Sequence, residues 1–182
     1  YNKSDSLFHS EFGVDGCSSV ASIKRIMGLE HCKVTDMREN LVWRHHGEWW
    51  DTRQRDEEIF GKFKSLEQFV KASQFIQAEG LRYIIESNRR RKFYNSGSIV
   101  WQFNEPWPNV SCTSLVEYHG RPKMAYYWVR KAYMPVHASL AYAKLVWKPH
   151  ETFIGSVFLH NSLSERELTV EWEVLDVYGK AW

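Results

Sequence analysis

Apolar and polar positions along this chain follow two different periods, and the switch between them divides it. From Ser65 onward, Leu66, Phe69, Val70, Ser73, Ile76, Gln77, Leu81, Ile84 and Ile85 recur at mostly helical spacing, the stripe of an amphipathic helix that lies against a sheet or barrel wall. Ser65 followed by Gln68 is a capping-box pattern, and the helix is predicted to end near Lys92. A shorter helix is predicted over Ser19 to Met27. Ser18 or Ser19 caps it, Val20, Ile23 and Met27 share a face, and Gly28 follows. A third follows Pro122, with Met124, Tyr127, Trp128 and Lys131 at helical spacing.

Between these helices lie two runs of strand character. Leu7 to Gly13 reads as a buried strand broken by Gly13 and Asp15-Gly16, and Ser98 to Asn104 is a β-rich run halted by Pro106 and Pro108. Cys32 to Phe63 has no sustained period and is predicted to be a long functional loop carrying Trp43-Arg44-His45-His46-Gly47-Glu48-Trp49-Trp50. Strand, loop, helix, strand and helix is the order of βα units. After Met134-Pro135 the period becomes two, over Ser139 to Trp147, Phe153 to Asn161 and Leu168 to Val177, as in the opening strands of a β-sandwich. The boundary is placed between 1–135 and 136–182, and the sandwich is expected to be partial, since a complete one needs about seven strands.

Composition adds two constraints. A formal charge of +2 gives no reason to expect nucleic acid or a membrane surface as a partner, and no run of about 18 apolar residues is present. The N-terminal Tyr1-Asn2-Lys3-Ser4-Asp5 lacks the features of a signal peptide. Cys17, Cys32 and Cys112 have neither disulfide-framework nor zinc spacing, and no metal or cofactor is implied. The basic cluster Arg89 to Lys92 fits a helix C-terminus. Aromatic residues make up 15% of the chain, with nine Trp, a composition suited either to a core or to a sugar-stacking cleft.

Candidate chemistry centres on Glu11. A glutamate at the end of a buried strand, followed by a glycine that permits close backbone approach, is placed as a carboxylate nucleophile for glycosyl transfer would be. The same residue would also serve to cap the following loop or to pair with an arginine.

Three stretches carry a family resemblance. Phe8-His9-Ser10-Glu11-Phe12-Gly13 resembles the seventh-strand motif, Ser-Glu-Phe-Gly or Ser-Glu-Tyr-Gly, of the β-mannosidases of glycoside hydrolase family 2. Gly97 to Pro108 resembles their eighth-strand signature, and Glu117 to Lys123 resembles the stretch before the last barrel helix. The resemblance implies an α/β chain comprising the C-terminal portion of a (β/α)8 TIM barrel, strands seven and eight with their helices, followed by part of an immunoglobulin-like β-sandwich. It implies that Glu11 is the nucleophile and that Trp101 walls the sugar subsite. Asn104 and the His45-His46 loop match substrate-binding positions, whereas Glu105 stands where the family usually has Asp.

The general acid/base of the family belongs to an earlier strand, and only ten residues precede Glu11. The chain alone is therefore expected to be inactive, and its partners are a glycoside or oligosaccharide substrate and the remaining domains of a parent chain. An exo-β-glucosaminidase or a β-galactosidase is the alternative within the class, and a non-catalytic carbohydrate-binding or structural module the alternative outside it.

Overall fold

The computed structural model describes residues 6–48, 51–176 and 178–181. Trp49 and Trp50 of the aromatic loop, Val177 of the last expected strand, Trp182 and the N-terminal 1–5 lie outside the described residues. In chain order the elements are β1 (His9–Phe12), β2 (Gly16–Cys17), α1 (Val20–Ile26), a 3-10 turn (Leu29–His31), α2 (Leu41–His45), α3 (Arg53–Phe60), α4 (Leu66–Arg90), β3 (Ser98–Val100), β4 (Ser111–Cys112), α5 (Met124–Ala132), β5 (Val136–Tyr142) and β6 (Gly155–Asn161).

The spine is α4, whose 25 residues run for about 37 Å. Ser65 caps it as the sequence predicts, its hydroxyl accepting from the Gln68 amide. One end of its apolar stripe, Leu66, Phe69 and Val70, packs with Ile23, Trp43 and Val110. The other end, Ala78, Leu81, Ile84 and Ile85, packs with Phe12, Leu115 and the α5 residues Ala125, Val129 and Ala132. Two apolar clusters therefore share one helix. On α5 the small residues, rather than Tyr127, face the core: Ala125 and Ala132 allow the two helices to approach closely, and Tyr127 is exposed.

β1 and β3 pair in parallel with α4 as their crossover, a βα unit followed by a second helix. Their register is not regular. His9 faces Ser98 and Phe12 faces Val100, so three steps along β1 match two along β3 and one extra residue lies between His9 and Phe12. β3 stops at Val100 instead of continuing to Asn104, because β1 ends at Phe12 and the chain turns toward another partner. The Leu115 amide donates to Gln102 O, and the Val116 amide to Phe103 O. β2 and β4 form a small antiparallel pair, with Gly16 facing Cys112.

The expected loop from Cys32 to Phe63 instead holds α2 and α3. Asn40 caps α2, its Oδ1 accepting from the Val42 and Trp43 amides. Neither helix shows an apolar stripe, because α2 buries only Trp43 and α3 buries only a carboxylate, Asp56. At the other end of the chain β5 and β6 form an antiparallel pair, Val136 facing Asn161 and Tyr142 facing Gly155. The expected third strand, Leu168 to Val177, is not formed among the described residues. Only an isolated bridge between Leu175 and Ala181 occurs there, since a period-two pattern makes a strand only where a neighbour offers a ladder. Among the described residues no helix is long and apolar enough to cross a membrane.

Candidate active site

Glu11 is the residue before Phe12 at the end of β1. Phe12 is buried in the core, and Glu11 is exposed on the side where the strand ends open. The next residue explains how β1 and β3 meet there. A Cβ on Gly13 would fall 2.6 Å from the Trp101 carbonyl oxygen and 2.9 Å from Thr113 Cγ2, so a side chain at this position would force the two strand ends apart. The Trp101 amide donates to Phe12 O at 2.8 Å, which fixes Trp101 beside Glu11. Glu11, Asp15, Arg55, Trp101 and Thr113 are among the walls of one open cavity of about 550 Å³, a volume in the range of small-ligand sites. Trp101 is half exposed.

The wall beyond Gly13 is polar and built from distant segments. Asp15 is buried and hydrogen-bonds the Glu48 carboxyl; burial first and the Glu48 charge second push Asp15 up to about 7. Glu48 is itself fixed, its Oε2 accepting from the Thr113 amide at 2.9 Å and its own amide donating to Ser111 O at 3.0 Å. Arg55 is anchored through Nε, which donates to Asp56 Oδ1 at 2.8 Å. Burial raises the pKa of Asp56 above the ordinary carboxylate value, while Arg55 opposes that shift. Among the described residues, Asp15 Oδ1 and Arg55 Nη2 are buried without a hydrogen-bond partner.

Behind this wall the backbone is held by a buried cation. Lys123 Nζ donates to Gly16 O at 2.9 Å and Cys112 O at 3.0 Å, and lies 3.1 Å from Glu105 Oε1. Glu105 also accepts from the Ser114 hydroxyl at 2.6 Å and from the Tyr118 amide at 3.1 Å. Among the described residues its partners are thus the Lys123 ammonium, the Ser114 hydroxyl and the Tyr118 amide, all of them structural. Glu117 caps α1: its carboxylate accepts from the Ser19 amide and hydroxyl, at 2.6 and 3.1 Å, and from the Ser22 hydroxyl.

Of the residues singled out in the sequence, Glu11 and Trp101 are brought together. His45, His46 and Asn104 are not among the walls of their cavity. His46 stacks on Trp107 at 5.8 Å and its Nδ1 lies 2.9 Å from Pro108 O, so this ring is engaged in holding the segment after β3. His45 is exposed and meets Trp107 edge-on. Asn104 is exposed and bridges to Val116, because the chain has already turned away from β1. Asp15 and Arg55 carried no sequence signal beyond, for Asp15, a carboxylate shortly after Glu11.

No family model matches the chain. Among curated proteins, Beta-mannosidase B of Thermothelomyces thermophilus is 38% identical over 76 residues, covering 39% of this chain and 9% of the relative. Beta-mannosidase B of Aspergillus oryzae is 28% identical over 121 residues, covering 62% and 14%. The chain thus spans about a tenth of the length of these relatives. Among solved structures, the β-D-mannosidase of Dictyoglomus thermophilum superposes with a TM-score of 0.64 at 22% identity, covering 85% of this chain and 22% of that one. The exo-chitosanase CsxA of Amycolatopsis orientalis, in a complex with PNP-β-D-glucosamine, gives 0.62 at 24% identity, covering 72% and 17%. Both superpositions carry the fold.

Proposed function

We propose that this chain, a β-mannosidase-like segment related to the enzymes of glycoside hydrolase family 2, supplies the nucleophile and one wall of the glycone site of a retaining exo-acting glycosidase. The observation that carries the reading is the meeting of Glu11 and Trp101 in one cavity at the ends of adjacent parallel strands. In a parallel βα architecture, catalytic groups gather at these C-terminal strand ends. Glu11 attacks the anomeric carbon of a terminal β-mannosyl residue as the aglycone leaves, forming a covalent glycosyl-enzyme. Water then releases the sugar with retained configuration.

Protonation of the leaving group belongs to a second carboxyl about 5 Å from the first. We assign that group to a barrel strand outside this chain, and with it the remaining barrel strands of a parent protein. On this reading 1–135 is the barrel portion and 136–182 opens an immunoglobulin-like sandwich. Trp101 offers its face to the sugar ring. The likeness to the exo-chitosanase favours a second reading within the class, hydrolysis of terminal β-linked glucosamine.

The test is intact-mass analysis of the full-length protein after incubation with 2-deoxy-2-fluoro-mannosyl fluoride and, for the second reading, with an activated glucosamine-configured donor. A single adduct on Glu11, absent from Glu11→Gln, is the expected result, and the donor that reacts names the sugar. No adduct with any activated donor would move the reading to a non-catalytic carbohydrate-binding module.

A further inference from the structure

We propose that Asp15 and Arg55 form a hydroxyl-recognition subsite for the terminal sugar, beside Glu11 in the same cavity. The inference rests on the glycosidase reading above and names the groups that would read the substrate there. Its starting point is two orphaned atoms of opposite polarity. Asp15 is 5% exposed and, among the described residues, its Oδ1 accepts from no donor, while Arg55 Nη2 is buried and donates to no acceptor. Native interiors leave few polar atoms in this state, and a ligand is one of the ways in which such atoms are satisfied. Both residues are among the walls of the cavity that holds Glu11 and Trp101.

The chemistry of the pair selects the ligand. An alcohol both donates and accepts, so one hydroxyl, or two neighbouring hydroxyls of a pyranose, serves the carboxylate acceptor and the guanidinium donor together. An anion would meet the carboxyls of Glu11, Asp15 and Asp51 in the same wall, whereas the hydroxyls of a pyranose meet no like charge there.

Both side chains are also held in place before any ligand arrives. Asp15 is fixed through Glu48, which the Thr113 amide holds, and Arg55 through Asp56. Such anchoring limits the conformational freedom lost on binding. Asp15 reaches the cavity from the loop just past Glu11 and Arg55 from α3, so the proposed subsite joins the stretch that carries the attacking carboxylate to a second segment.

The test uses the full-length protein with Glu11→Gln, so that a bound glycoside is not turned over, and measures calorimetric binding. The probes are p-nitrophenyl β-D-mannopyranoside and its singly deoxygenated analogues, with the glucosaminide series if the mannoside is not bound. Adding Asp15→Asn or Arg55→Gln is expected to weaken the intact glycoside by about 10- to 100-fold. Neither change should alter affinity for the one analogue lacking the hydroxyl that the residue holds.

Unchanged affinity for the intact glycoside in both variants, or equal losses on every deoxygenated analogue, would overturn the subsite. So would a failure of both series to bind. If one variant does not fold, the other decides. A protein that takes no adduct on Glu11 yet loses sugar affinity with Asp15→Asn would refute the enzymatic reading and keep the subsite. An adduct on Glu11 with unaltered binding in both variants would do the reverse.

Discussion

Lys123 Nζ and Glu105 Oε1 lie 3.1 Å apart with both side chains wholly withdrawn from solvent, and the same ammonium group also holds the carbonyls of Gly16 and Cys112. One cation thereby ties β2 to β4 and to the segment after β3. Replacing Lys123 by Met removes the cation and leaves Glu105 buried with an uncompensated charge. The expected loss of stability is about 3–5 kcal/mol, in the range for breaking one side of a buried pair. The urea unfolding midpoint of the full-length protein measures it, and a change below about 1 kcal/mol would show that the ammonium is dispensable.

Glu117 is expected to hold the first turn of α1. Glu117→Ala removes the acceptor for the Ser19 amide and for the Ser19 and Ser22 hydroxyls, at a cost of about 1–3 kcal/mol. Amide hydrogen exchange at Ser22 and Ile23 should accelerate while that in the middle of α4 stays slow. Equal acceleration in both helices would mean that the cap acts globally.

Gly13→Ala is expected to damage function more than folding. The new methyl group would press on the Trp101 carbonyl and on Thr113, so relief comes by moving Trp101 away from Glu11. A displacement of this kind costs about 100-fold in turnover when chemistry depends on alignment. Glycoside hydrolysis by the full-length protein, with the melting temperature as control, separates the two effects. A variant with full activity would show that the strand ends tolerate a wider gap.

His160 gives a pH dependence with a defined sign. Burial first, then Arg89, His137, Arg90 and Lys92, lower it from 6.5 to about 4, and its Nε2 lies 2.7 Å from the Ser139 hydroxyl. The unfolded chain therefore takes up a proton as pH falls through 6.5, whereas the folded chain does so only near 4. The stabilising contribution is present above 6.5 and is lost between 6.5 and 4. An imidazole titration followed by NMR should give the low value. A His160→Gln protein should lose less stability than the parent over that interval.

The helices that the sequence announced are those whose signals are local. Ser65 and Ser19 cap α4 and α1 because a hydroxyl needs only the amide three residues ahead, and the α4 stripe repeats often enough to be read. The neighbouring placement of Glu11 and Trp101 was also legible, since each occupies a recognisable strand-end motif. Other features depend on distance in sequence. The burial of Lys123 is set by Gly16, Glu105 and Cys112, and the Asp15–Glu48 pair joins the turn after β1 to the segment after α2. α3 leaves no apolar stripe in the sequence because its buried residue is a carboxylate. His46 has the composition of a ligand-binding loop residue, but Trp107 and Pro108 engage it.

The extra residue between His9 and Phe12 separates two demands that an ordinary strand would couple. In a regular pleat the parity of each position dictates which way its side chain turns, so the direction of an acid next to a core phenylalanine is inherited from the core. With one residue out of step, the ladder satisfies Phe12 and leaves Glu11 free of that rule. Aim and anchorage along β1 thereby become independent variables.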